Sequence, residues 1–157
     1  MADAVFSFES TVRPDWIDHN GHMNVAYFVL AFDEATDAVY ETWGIGELYP
    51  DSSGCSVFTL GMNVDYHREL FEGDGLRIET TLIDCDTKRI HYVHRMFNAA
   101  SDALCATNEC LGMNVELQTR RSQAFPADVL RALEKAVNRN AGHAFVGRTL
   151  GIRRSED

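Results

Sequence analysis

The amino-acid sequence predicts an α+β fold in which a five-stranded antiparallel sheet is wrapped around one long central helix. Three observations carry the prediction. One segment, Asn24 to Trp43, repeats its apolar residues at intervals of three and four. Four later segments are long, extended in pattern and separated only by short turns. The chain has 157 residues and 45% hydrophobic content, enough for one core and too little for two.

The elements follow in order. Residues 4–12, AVFSFESTV, alternate as a first strand, and Pro14 stops them. Residues 15–22 read as a loop in which Gly21 can supply an unusual backbone angle. From Asn24 the period changes: Val25, Phe28, Phe32, Ala35, Val39 and Trp43 mark one stripe of a buried helix, which Gly44 and Gly46 end. Residues 47–54 read as a loop. Strands are expected at 55–67, 75–85, 89–98 and 103–117, divided by EGDG, DCDTK and ASD turns. Connections this short make neighbouring strands antiparallel. On the third of these strands His91 and His94 fall on opposite faces. Pro126 opens a second helix over 126–138, with Val129, Leu130, Leu133 and Val137 on its apolar face. After it Phe145, Val146, Leu150 and Ile152 suggest that part of an irregular tail packs down, ahead of a polar end at Arg153–Asp157. The whole reads as one domain over 1–157, with its core at 4–138 and a tail at 139–157.

Net charge is -10 and the pI is about 4.9. Such a field repels nucleic acid and anionic membranes, suits a cationic ligand, and requires any phosphate contact to be local. Cys55, Cys85, Cys105 and Cys110 show neither a CxxC pair nor zinc spacing. MADAVFSFES lacks a basic region followed by an apolar run, and no apolar stretch approaches the roughly 20 residues that span a bilayer. The expectation is a cytoplasmic protein with reduced thiols and with no metal, membrane or nucleic-acid partner.

The run DHNGHMNVAY, Asp18 to Tyr27, crowds an acid, two histidines and two asparagines at the start of the helix. Three readings compete. As a metal site, His19 and His22 with Asp18 lack further ligands. As a cap, Asn20 and Asn24 can both accept from free helix N–H groups. As an active site, the first helix turn offers unpaired N–H groups at the positive end of the macrodipole, able to hold a developing oxyanion. Asp18, aimed by Gly21, could then attack a carbonyl or activate water.

The longer run DWIDHNGHMNVAYFVLAFDEATD resembles the D-x-x-G-H-x-N-x-x-Y signature of hot-dog-fold thioesterases of the 4-hydroxybenzoyl-CoA thioesterase type. VDYHRELFEGDGLRIETTLIDCDTKRIH and NVELQTRRSQAFP support it, so that the resemblance spans residues 5–135. It implies a hot-dog fold and hydrolysis of an acyl-CoA, with CoA entering as part of the substrate and no separate cofactor. It assigns Asp18 as the catalytic acid and the backbone N–H of Val25 as the carbonyl-polarising donor. Gly21, His22, Asn24 and Tyr27 match signature positions. Another hot-dog subgroup carries its catalytic glutamate on the helix, where this chain has Glu34 and Asp37, but Asp18 fits its motif and they do not fit theirs. PDWIDHNGHMNVAY, SVFTL, DTKRIHYVHRM and GRTLGI further resemble the thioesterases of carnitine breakdown, which act on betainyl-CoA. That trimethylammonium acyl group would need aromatic walls, for which Trp16, Trp43, Phe58, Tyr66 and Tyr92 are candidates, each worth ~0.5–2 kcal/mol. Lys88, Arg89, Arg120 and Arg121 are the candidates for the CoA phosphates. Another short or aromatic acyl-CoA, or non-catalytic acyl-CoA binding, are the alternatives. The family pairs two sheets into one, which implies a homodimer or a homotetramer of two dimers.

Overall fold

The computed structural model of the protein describes residues 5–138, 146–147 and 150. Strand β1 (Phe6–Thr11) leads through a single 3-10 turn (Pro14–Trp16) to helix α1 (Val25–Thr42). A short helix α2 (Tyr49–Ser53) and strands β2 (Cys55–Tyr66), β3 (Gly75–Cys85), β4 (Arg89–Asn98) and β5 (Leu104–Glu116) follow. A two-residue strand β6 (Arg121–Ser122) and helix α3 (Ala127–Ala136) complete the order. The sheet runs β1-β3-β4-β5-β2 with every neighbouring pair antiparallel. This is the hot-dog fold, the sheet curled around α1.

The structure adds two elements to the five strands and two helices expected. β6 pairs with β5 opposite Val115 and Glu116, beyond the point where β4 has ended at Met113. α2 lies inside the expected loop, and five residues are too few to carry a helical period. It is held instead by tertiary contact, the buried Tyr49 donating through its hydroxyl to Asn114 Oδ1 at 2.8 Å.

α1 buries Phe28, Ala31, Phe32, Ala35, Thr36, Val39 and Tyr40 against the sheet. Val25, the first member of the predicted stripe, is instead 55% exposed. The core divides into two clusters. Under the first half of α1 lie Trp16, Met23, Phe28, Phe32, Leu70, Ile78 and Met96. Under its second half lie Val39, Trp43, Leu82, Ile90, Tyr92, Phe125 and Leu133, the last from α3. Each such side chain contributes ~1.5–3 kcal/mol on full burial.

A polar layer sits between the clusters. His94 is fully buried, stacked on Phe32 with ring centroids 5.5 Å apart. Its Nε2 lies 2.9 Å from Thr36 Oγ1 and its Nδ1 2.7 Å from Thr80 Oγ1. His91 takes the outer face and meets Glu109 at 2.9 Å, so the two histidines do separate across the sheet.

β2 is an edge strand. From Phe58 to Asn63 every residue is exposed, across a bulge between Thr59 and Gly61. Among the described residues no helix is long and apolar enough to cross a membrane, and all four cysteines are free thiols. In the tail Val146 is half-buried while Leu150 is 87% exposed, against the expectation that it packs down. Phe145, Ile152 and Arg153–Asp157 lie outside the described residues.

Burial drives the His94 pKa down from 6.5 to about 3. Below pH 6.5 the unfolded chain therefore takes up a proton that the folded chain refuses, and stability falls as pH drops. Each pH unit between those two values should cost ~1.4 kcal/mol. Denaturant titrations at pH 7, 6 and 5 should show this slope, and His94→Gln should remove it. An identical slope in the variant would contradict the assignment.

Candidate active site

The chain between β1 and α1 doubles back before the helix starts. Ile17 and Met23 form an isolated antiparallel bridge. Inside it the Asp18 N–H donates to the His22 carbonyl (3.1 Å) and the Gly21 N–H to the Asp18 carbonyl (3.0 Å). Gly21 closes this loop at φ +81°, a conformation in which any side chain is strained. A Cβ there would meet nothing within 4 Å, so the requirement is conformational and not steric. The Met23 N–H donates to the Leu70 carbonyl (2.7 Å) and the Asn24 N–H to the Trp16 carbonyl (2.9 Å), which pin the loop to its surroundings.

Asn24 is the N-cap. Its Oδ1 accepts the Ala26 N–H at 2.9 Å, and its Nδ2 donates to Asp18 Oδ2 at 3.1 Å. One amide thus caps the helix and draws the carboxylate against it. Asn20 caps nothing; its backbone N–H donates to Asp18 Oδ1 at 2.8 Å, because the loop holds it away from the helix end. That backbone bond, with the Asn24 amide and the nearby His22 and His19, keeps the Asp18 carboxyl below its ordinary 3.8. With the Ala26 and Tyr27 N–H groups both taken by Asn24, the Val25 N–H has no acceptor among the described residues. An ionised carboxylate therefore stands beside a free N–H at the positive end of a helix of 18 residues. This pairing of a base or nucleophile with an oxyanion donor is what acyl transfer needs.

Tyr66, at the end of β2, donates its hydroxyl to the Val25 carbonyl (3.0 Å) and packs edge-on against Phe28 (5.2 Å). Tyr27 stacks on Trp16 at 5.7 Å. His22 donates through Nδ1 to the Met23 carbonyl (3.0 Å) and turns Nε2 toward Glu69, 3.8 Å away. The structure thus gathers Trp16, Asp18, Gly21, His22, Asn24, Val25, Tyr27 and Tyr66 at one end of the sheet. Trp16 is 1% exposed, with Arg13 over its ring, and offers no free face to a ligand. Trp43 and Tyr92 are packed together in the other core cluster. Phe58 lies eight positions back along β2.

The four residues expected to hold the CoA phosphates are not at this end. Arg89 pairs with Met113, and Arg121 with Glu116, whereas Tyr66 pairs with Ala106. Seven strand residues at ~3.4 Å each separate the two levels by about 24 Å. Lys88 Nζ meets Ser122 Oγ at 3.3 Å, Arg89 is ion-paired with Asp86, and Arg120 holds a left-handed φ of 60°. Glu34 is held by Arg13 at 2.9 Å, and Asp37 lies on the exposed side of α1, its carboxyl raised by desolvation and by the neighbouring Asp33, Glu34 and Glu41. Leu70, whose carbonyl fixes the loop that carries Asp18, gave no sequence signal, because a backbone contact leaves none.

Fold and site together define a thioester hydrolase built on the hot-dog fold. The chain belongs to the thioesterase-like superfamily, whose profile matches residues 12–133, and members of this family hydrolyse acyl-CoA thioesters. It is 32% identical over 97% of its length to a betainyl-CoA thioesterase of Pseudomonas aeruginosa, and covers 98% of that protein. It is 29% identical over 92% of its length to part of an L-carnitine dehydrogenase/betainyl-CoA thioesterase of Ruegeria pomeroyi, covering 29% of that longer protein. A Staphylococcus aureus protein solved in complex with CoA superposes with a TM-score of 0.87 at 26% identity, covering 98% of both chains.

Asn24→Ala should cost ~1 kcal/mol through the lost cap and let the Asp18 pKa rise toward its ordinary value. Chemical denaturation and an NMR titration of the Asp18 carboxyl measure the two effects. An unmoved Asp18 titration would show that Asn24 serves the helix alone.

Proposed function

We propose that the protein hydrolyses betainyl-CoA to betaine and CoA, with Asp18 and the Val25 N–H as its reacting centre. The observation that carries the site is the bond from Asn24 Nδ2 to Asp18 Oδ2, which brings the carboxylate to the vacant N–H. Either an Asp18 carboxylate oxygen attacks the thioester carbonyl, or Asp18 takes a proton from a water whose oxygen attacks it. As the C–O bond forms, the carbonyl electrons move to oxygen and are held by the Val25 N–H at the helix start. Collapse of this adduct breaks the C–S bond; the thiolate leaves and takes up a proton, and where Asp18 itself attacked, water then cleaves the acyl–Asp18 anhydride to betaine and the free carboxylate. Gly21 sets the loop, Asn24 orients the acid, and His22, Tyr27 and Tyr66 border the acyl end.

The identity to the Pseudomonas aeruginosa relative over almost the whole of both chains supports the betainyl group. The net charge of -10 is compatible with a cationic acyl group. Of the aromatic residues proposed as walls, Tyr66 both borders the site and stays 46% exposed, free to present its face to a quaternary ammonium.

A homodimer formed along β2 completes this reading. β2 is an open edge with Phe58, Leu60, Met62 and Tyr66 exposed along it, and such an edge invites pairing. Antiparallel pairing of two β2 strands brings the Cys55 end of one copy beside the Tyr66 end of the other. The partner's basic end, with Lys88, Arg120 and Arg121, then reaches the end that holds Asp18, where the CoA phosphates need cations.

Thiol release over betainyl-CoA, short aliphatic and aromatic acyl-CoAs should show the highest kcat/KM for betainyl-CoA. Asp18→Asn should lower it by about 10²–10⁴-fold with the fold intact. Because the carboxyl is held low, wild-type activity should stay flat from about pH 8 to about pH 5; a fall near 6.5 would point to a histidine instead. Full activity in Asp18→Asn would sink the assignment, and CoA binding without turnover of any thioester would favour a binding protein.

Sedimentation equilibrium should give at least two chains per particle, and Leu60→Glu with Met62→Glu should shift it to one chain and depress kcat/KM. A monomeric wild type would contradict the shared site.

A further inference from the structure

Asn108 is a buried polar residue with no structural account. It lies on the inner face of β5, 1% exposed, between His94 of β4 and Val64 of β2. Its Oδ1 has no hydrogen-bond partner among the described residues. Among the described residues its Nδ2 meets the Met62 Sδ alone, at 3.9 Å. The opposite amide orientation would set the oxygen against the sulfur lone pairs, so turning the group over does not satisfy it. A buried acceptor left this way destabilises the fold, and a leucine of similar size would avoid that cost. A group kept under those terms calls for a ligand.

Its position suits one. Phe32 stacks on His94, the cross-strand partner of Asn108, so Asn108 lies at the level of Phe32. Val25 is seven residues back along α1, about 10 Å at ~1.5 Å per residue. That span matches one N–H···O bond from Val25, a short acyl group, and one further contact to Oδ1. Between the two levels, Tyr66 and Phe28 form the wall. The cover over Asn108 is Met62, 44% exposed on the edge strand and the most readily displaced kind of apolar side chain. The negative end of an amide carbonyl dipole selects for positive polarity.

We infer that Asn108 is a specificity-determining residue, its free Oδ1 receiving the far end of a short acyl group that is positively polarised there. A quaternary ammonium meets the condition through its polarised C–H groups, and an N–H or O–H at that distance meets it as a donor. An unsubstituted alkyl chain does not. The inference rests on the reading of Asp18 and Val25 as the reacting centre.

The test compares the wild type with Asn108→Leu and Asn108→Ala, using betainyl-CoA and butyryl-CoA as probes. The ratio of their kcat/KM values should fall at least tenfold in both variants, and Asn108→Leu should also raise the Tm. An unchanged ratio would overturn the inference, whatever the Tm. So would a lower Tm in Asn108→Leu with both substrates declining in parallel, since that marks a purely structural amide. Asp18→Asn is run alongside. If it keeps full activity, the reacting centre itself is wrong; if it is inactive while the Asn108 ratio stays constant, only the present inference fails.

Discussion

A helix buried along most of its length must still leave its first N–H groups unpaired by its own backbone. In this protein the amide of Asn24 meets that constraint and adds to it. Its oxygen takes the Ala26 N–H, its nitrogen holds Asp18, and the Val25 N–H between them stays free. Everything upstream serves this contact. The 3-10 turn, the Ile17–Met23 bridge and the left-handed Gly21 fold the chain back so that a residue six positions before the cap returns to it. The site is therefore rigid backbone and short side chains, the kind of support that keeps a carboxylate and a helix-start N–H in register.

The same helix explains the division of the core. Its first half packs beneath the site and its second half is sealed by α3 and by the Tyr40–Tyr92 hydroxyl contact at 3.1 Å. Between them the layer of Thr36, Thr80, His94 and Asn108 is polar in a region where aliphatic packing would be more stable. His94 is satisfied by its two threonines, and Asn108 is not. A polar layer with one member unsatisfied next to an open edge strand is where the fold departs from maximal stability, and such departures concentrate at functional positions.

Much of the fold was legible because its periods are unambiguous. α1 starts within one residue of the expected position, and β3 and β4 match their predicted limits residue for residue, since Gly75 and the DCDTK turn punctuate them. α2 and β6 were not legible: five and two residues carry no period, and tertiary contact alone makes them regular. Within the site, Asp18, Gly21 and Asn24 could be assembled from local chemistry, because all three lie in one loop. The aromatic residues could not. Trp43, Tyr92 and Tyr66 look equivalent in a sequence, and only the packing separates two core rings from the one that meets Val25.

The sequence by itself determined the helix, the extended segments and the acid beside the helix start, each of which depends on neighbours a few residues away; it did not determine that β2 pairs with β5 and not with β3 across the EGDG turn. The tertiary structure decided what depends on distant segments: that Leu70 anchors the loop, that Tyr66 closes it, and that Lys88, Arg89, Arg120 and Arg121 stand at the opposite end of the sheet. The physical reason is register. Once β2 and β5 pair, every residue along them has a fixed distance from α1, and no local pattern encodes that distance.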